Sequence, residues 1–211
     1  VRAGRIAGPL SDDLAAETGL GRVPVAVVAG HDTASAAAAA PLAGDDTVFL
    51  ISGTWSIMGL AMEKPLLSAD ARQMGFANEL GFESVLFVKN LAGLYLFENL
   101  KREYARKGKE FTYEEIIGQA SRAAAFRFFI DMNAPVFFLG RDVEESSRSF
   151  LRATRQRGQP QCGELVRSLF ESLVFSYRET LEQLRKVTGR EFKRICIVGG
   201  GVRNRLVCQW T

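Results

Sequence analysis

Histidine is nearly absent: the 211 residues contain one, His31. A lone imidazole excludes the clustered His ligands of a typical zinc site. Cysteine is scarce as well. Cys162, Cys196 and Cys208 lie far apart and show no CxxC spacing. An odd number of thiols with no signal-peptide pattern points to reduced cysteines in a cytoplasmic protein. No apolar run approaches the roughly 20 residues that span a bilayer, so no membrane partner is expected. Charge of one sign is lacking too. The 27 basic and 24 acidic residues leave a formal +3 and are interspersed, which argues against a nucleic-acid partner.

What is present suits a folded α/β domain. Hydrophobic residues make up 47% and charged residues 24%, ample for a packed core. The chain opens at Val1 and stops at Thr211 just as a helix gets under way, the pattern of one lobe of a longer protein.

Residues 1–22 read as a leader, with a short helix that Ser11 can cap and Gly19 can end. The β-branched run 23–28 predicts a buried strand, and the small residues 34–40 a helix packed closely on a sheet and closed by Pro41. Residues 47–51 and 55–60 predict a hairpin turning at Ser52-Gly53-Thr54. A second hairpin is predicted over 76–79 and 84–88, with Gly81 near its turn. Helical spacing runs from Leu91 to Tyr104. Thr112 and Glu115 form a capping box for another helix. The aromatic-rich stretch 126–139, broken by Asn133-Ala-Pro135, is expected to be extended or loop-like. Residues 144–156 are amphipathic, and 163–187 predict a long helix ending at Gly189. Residues 194–198 read as a buried strand, followed by Gly199-Gly200-Gly201 and a helix opening after Asn204.

Three places could carry chemistry. A strand, a glycine turn and a helix N-terminus together favour anions, because backbone N–H groups and the helix dipole point at the ligand. Tight turns of this kind also occur without a ligand. Gly30-His31-Asp32-Thr33 follows a predicted strand, where an Asp can act as general base; the alternative is that Asp32 merely caps the alanine helix. Ser52-Gly53-Thr54 could hold phosphate oxygens, or be an ordinary hairpin turn. Asn90 and Glu98 flank an apolar helix face as cap and solvated residue.

Taken in order, the segments Gly30-His-Asp-Thr-Ala-Ser35, Ile51-Ser-Gly-Thr-Trp-Ser56, Asn78-Glu-Leu-Gly81, Lys89-Asn-Leu-Ala-Gly-Leu94 and Val198-Gly-Gly-Gly-Val-Arg-Asn204 resemble the C-terminal domain of sugar kinases of the FGGY family. The likeness covers essentially the whole chain and is strongest to the branch acting on L-rhamnulose. It implies an α/β, actin-like ATPase (ribonuclease H-like) domain, a mixed sheet flanked by helices, truncated at both ends and lacking its N-terminal partner domain. It further implies ATP and Mg²⁺, and transfer of a phosphoryl group to the 1-hydroxyl of L-rhamnulose in L-rhamnose catabolism. Carried over by position, Asp32 resembles the catalytic base, and His31, Asp32, Thr33 and Asn90 the sugar-binding residues. Thr54 and Gly53 resemble a phosphate loop, and Gly200, with Gly199, Gly201 and Asn204, the nucleotide turn. Glu98 falls where relatives carry a Gln touching ATP; a carboxylate there repels phosphate unless it is paired. No metal ligand is expected within residues 1–211, because the Asp-x-Gly loop that helps place the metal belongs to the other domain. The alternatives are a family member acting on xylulose or fuculose, for which His31 is the discriminating residue, and a non-catalytic nucleotide-binding protein of the actin-like fold. A dinucleotide-binding dehydrogenase ranks last, since Asn204 stands where GxGxxG requires glycine.

Overall fold

The computed structural model describes residues 2–42, 44–137, 139 and 141–211. A two-stranded antiparallel ribbon comes first, β1 (Ile6–Pro9) against β2 (Pro24–Ala26), joined by α1 (Asp12–Thr18). Gly19 ends α1 in the left-handed conformation at φ 70°, as expected of a helix-terminating glycine; Ser11 precedes it without a side-chain cap bond. The β-branched run is therefore a strand, but not a buried one. Val23, Val25 and Val28 are exposed by 42%, 40% and 64%, because β2 pairs with β1 alone and no described layer covers the ribbon.

Next comes α2 (Asp32–Ala39), then the hairpin β3 (Thr47–Ser52) and β4 (Trp55–Met62). A short α3 (Ala69–Gln73) leads into the second hairpin, β5 (Ala77–Leu80) and β6 (Val85–Ala92). The helical layer follows: α4 (Tyr95–Arg106), α5 (Tyr113–Arg122), α6 (Val143–Ala153) and α7 (Cys162–Thr188). Between α5 and α6 the described chain is irregular apart from a 3₁₀ turn over Pro135–Phe137. Finally β7 (Arg194–Val198) runs into a 3₁₀ turn over Gly200–Arg203 and α8 (Arg205–Trp210). Among the described residues, no helix is long and apolar enough to cross a membrane.

The main sheet has the order β5-β6-β4-β3-β7, antiparallel throughout except where β7 joins β3 in parallel. Strand alternation divides its two faces. Val48, Leu50, Met58, Leu60, Phe87 and Leu91 join the helical core, while Phe49, Leu86 and Val88 pack against Ala34 and Ala37 of α2. Only small side chains allow α2 to lie so close. The first face packs into the core that α7 shares with the other helices of this layer; α7 is roughly 40 Å long at 1.5 Å per residue. It buries Leu165, Leu169, Leu173 and Leu184 completely or nearly so, each worth about 1.5–3 kcal/mol.

Three expectations shift. Helical spacing begins at Leu91 in the sequence, yet Leu91 and Ala92 belong to β6 and α4 starts at Tyr95. Gly93 makes the break, because a Cβ there would lie 2.4 Å from the Thr54 carbonyl oxygen and 2.6 Å from that of Gly53. Asn90 is consequently a strand residue opposite Ile57, not a helix cap. β7 is half-buried rather than buried, since it is an outer strand of the sheet.

Candidate active site

The parallel pairing of β3 with β7 sets Ile51 opposite Val198. Both strands therefore end at one edge of the sheet, and the turns that follow them meet there. Ser52, only 2% exposed, is the contact point. A Cβ at Gly199, whose φ is +94°, would lie 2.6 Å from the Ser52 carbonyl oxygen, and one at Gly201 would lie 2.1 Å from Ser52 Oγ. Glycine is required at both positions, by close approach and at Gly199 also by its positive φ. A Cβ at Gly200 would meet nothing within 4 Å, so this glycine faces open space.

That space is a cavity of about 490 Å³ bordered by Gly53, Thr54, Gly200, Gly201, Arg203 and Asn204 on one side, and by residues of α4 and α5 on the other. The start of α4 is tied to the first turn, with Leu94 N–H donating to the Gly53 carbonyl at 2.9 Å and Tyr95 N–H to that of Thr54 at 3.2 Å. Tyr95 also stacks on Trp55, with ring centroids 5.1 Å apart. Asn204 is 5% exposed. Its Oδ1 accepts from Val207 N–H at 3.2 Å and caps α8, while its buried Nδ2 has no hydrogen-bond partner among the described residues. An orphaned donor at such a wall is costly unless a ligand acceptor meets it.

Glu98 lies on the opposite wall with Arg102 and Tyr113. Its carboxylate is paired: the Tyr113 hydroxyl donates to Oε2 at 2.8 Å. That bond, followed by burial and the nearby charge, raises the Tyr113 phenol above its usual pKa, because losing the proton would set two anions together. Tyr113, Arg102 and Arg203 are absent from the set predicted from sequence. Arg203 stood next to the glycine motif, whereas Tyr113 and Arg102 come to the cavity only through the packing of α5 and α4.

The second group of predicted residues sits on the α2 face of the sheet. His31, not Asp32, caps α2: Ala34 N–H donates to His31 Nδ1 at 3.4 Å. Asp32 is the first helical residue, its Oδ1 accepting the Thr33 N–H at 2.7 Å with the Thr33 hydroxyl 3.5 Å away. His31 and Asp32 are exposed. Asn90 lies two residues beyond Val88 on β6, hence on the same face as Val88, which packs against α2. A carboxylate, an imidazole, a half-buried hydroxyl and an amide thus lie on the α2 side of the sheet, residue types suited to sugar hydroxyls and to proton removal.

Known proteins resemble this chain in sequence and in fold. Residues 48–211 match the model of the C-terminal domain of the FGGY family of carbohydrate kinases. A rhamnulokinase of Bacteroides thetaiotaomicron is 37% identical over 205 residues, covering 97% of this chain and 41% of its own length. A rhamnulokinase of Enterococcus faecalis is 33% identical over 214 residues, covering 100% and 43%. The chain thus spans about two fifths of these relatives. Among solved structures, xylulose kinase of Rhodospirillum rubrum superposes with a TM-score of 0.68 at 17% identity, over 100% of this chain and 41% of that one. Glycerol kinase of Plasmodium falciparum with ADP superposes with a TM-score of 0.65 at 13% identity, over 98% and 40%. The fold is that of these kinases, a mixed sheet flanked by helices, and with more than half of its residues matched to the family model the chain belongs to the FGGY family of carbohydrate kinases.

Proposed function

We propose that residues 1–211 form the C-terminal lobe of a two-lobed kinase that transfers the γ-phosphoryl group of ATP to the 1-hydroxyl of L-rhamnulose. The observation that carries the nucleotide half is the cavity where the Gly53–Thr54 turn and the Gly200–Asn204 turn meet. The close-packed Gly199 and Gly201 of the second turn, the open space over Gly200 and the Asn204 Nδ2 without a partner among the described residues suit a phosphate chain. The sugar is suggested by the relatives, which are named rhamnulokinases, and by His31 standing directly before Asp32.

Phosphoryl transfer needs alignment and charge stabilisation more than covalent help from the protein. In this reading Asp32 accepts the proton of the attacking hydroxyl as the phosphoryl group is transferred. His31, Thr33 and Asn90 orient the sugar, while backbone N–H groups of the two turns hold phosphate oxygens. Glu98, kept by Tyr113, sits at the nucleoside end, where ribose and base carry donors a carboxylate can accept. Reactions of this class draw on a divalent cation such as Mg²⁺. Among the described residues, no three His, Cys, Asp or Glu side chains converge on a metal position, so no step is assigned to a metal held by this chain alone.

A coupled ADP-release assay tests the reading. The full-length enzyme carrying this chain is expected to turn over L-rhamnulose in the usual range of about 1–10³ s⁻¹, while residues 1–211 alone show no sugar-dependent turnover. Preference for xylulose or fuculose would redirect the substrate assignment. Nucleotide binding without any sugar-dependent release would favour a non-catalytic protein of the same fold.

A further inference from the structure

Glu79 has no part in the chemistry above, yet its carboxylate lies beside the residue that precedes Asp32. Glu79 Oε2 is 3.5 Å from His31 Nε2, with the side chains 29% and 43% exposed. The register explains the approach. Glu79 is the partner of Leu86 across β5 and β6, so both point to the same face of the sheet. Leu86 packs against Ala34 and Ala37 of α2, which brings Glu79 alongside the first turn of that helix.

The other ring nitrogen fixes the protonation pattern. A backbone N–H can only donate, so His31 Nδ1, which receives the Ala34 N–H at 3.4 Å, must be bare. In the neutral ring the proton then sits on Nε2, the nitrogen that faces Glu79. Closing 3.5 Å to a full hydrogen bond takes a few tenths of an ångström, the kind of tightening expected when a substrate arrives.

We propose that Glu79 is a positioning residue: its carboxylate takes the Nε2–H of His31, and so fixes the tautomer and orientation of the ring that caps the helix bearing Asp32. One carboxylate thereby acts through the ring on the first turn of α2. The catalytic meaning rests on the sugar-kinase reading, whereas the pairing itself stands on the geometry.

Because His31 is the only histidine, it alone gives an imidazole signal when the chain is labelled with ¹⁵N-histidine. A two-bond nitrogen–proton correlation spectrum of residues 1–211 at mildly alkaline pH is expected to show one bare nitrogen, Nδ1, and one protonated nitrogen, Nε2. Glu79→Ala should move the two nitrogen shifts toward each other, as tautomers exchange. Glu79→Gln, which keeps an acceptor oxygen at the same reach, should stay near the wild type. Glu79→Asp, which keeps the charge but shortens the reach, should behave like Glu79→Ala. This opposition separates a specific contact from a general effect of charge or fold, and covers the case in which one variant folds poorly. Exposed Glu114→Ala serves as the unaffected control. A proton on Nδ1 in the wild type, or spectra that do not distinguish Glu79→Ala and Glu79→Asp from it, would overturn the pairing. In the full-length enzyme Glu79→Ala should lower kcat about 10-fold, with the KM for ATP unchanged, by analogy with residues that orient a functional imidazole. An unaltered kcat would overturn the positioning role. A wild-type enzyme that phosphorylates no sugar would count against the kinase reading instead, leaving the spectra to decide the pairing.

Discussion

Two adjacent glycines should respond in opposite ways to an added side chain. Gly201 is buried, and a Cβ there would fall 2.1 Å from Ser52 Oγ, 2.7 Å from Ser52 Cβ and 2.9 Å from the Ser52 carbonyl oxygen. Ser52 has little room to yield, because it is 2% exposed and closes the β3–β4 ladder opposite Ser56. Overpacking of this kind costs roughly 1–3 kcal/mol. At about 2–4 °C per kcal/mol for a chain of this size, Gly201→Ala should lower Tm by about 2–12 °C. Gly200 is exposed and its Cβ would meet nothing within 4 Å. Gly200→Val should therefore keep Tm within about 2 °C, as surface substitutions do. In the full-length enzyme the same valine should raise the KM for ATP about 10-fold, a cost of about 1.4 kcal/mol, and leave the KM for the sugar nearly unchanged. Thermal melts and steady-state kinetics on both variants provide the comparison. Equal melting temperatures for the two variants, or equal effects of Gly200→Val on both substrates, would refute the division between a packing glycine and a ligand-facing one.

Other outcomes follow from buried polar contacts. Arg167→Ala should cost about 3–5 kcal/mol in denaturant melts: it leaves Glu171, paired at 2.6 Å and only 4% exposed, without its cation, and it removes the donor to the last carbonyls of α5 and the cation over Trp210. Tyr177→Phe should cost about 1–3 kcal/mol by the same measurement, since Ser56 Oγ loses its 2.7 Å partner in the core. Glu98→Gln should lower the Tyr113 pKa toward its ordinary value, read from tyrosinate absorbance, because the anionic acceptor that stabilises the phenol is gone. Glu144 feels burial, which raises its pKa, but Lys107 and Arg148 outweigh it and hold the carboxyl below the usual range. Its stabilising contribution is therefore present above the unfolded-state pKa and lost as pH falls through the folded one, so Glu144→Gln should flatten the acid limb of the stability profile.

Local signals announced most of the elements. The capping box of Thr112 and Glu115 forms as its spacing requires, the leucines of α7 face the core, and Gly189 ends that helix in the left-handed region at φ 65°. Covering layers were not legible. A β-branched run such as 23–28 announces extended backbone but not what lies over it, and here its only described partner is β1. Apolar spacing from Leu91 looked helical because Leu91 points into the same core that the first turn of α4 enters; the break at Gly93 is imposed by the Gly53–Thr54 turn, distant in sequence. At the candidate site, the glycine turns and the His31–Asp32 pair stood out as short-range patterns. Tyr113 and Arg102 did not, because only the docking of α4 and α5 beside the turns brings them there; Glu79 lay inside the 78–81 segment but without a role, which only the register of β5 on β6 supplies.

The most direct test of the account is the turnover of Asp32→Asn. In the full-length enzyme, with L-rhamnulose and ATP in a coupled ADP-release assay, loss of the proton acceptor should lower kcat by roughly 10²-fold or more. The KM for ATP should stay near its wild-type value, because Asp32 is not among the residues bordering the cavity over Gly200 that is proposed to take the nucleotide. A variant that turns over at a near-normal rate would contradict the assignment of Asp32 as the base, and with it the reading of the α2 face as the sugar side of a kinase cleft.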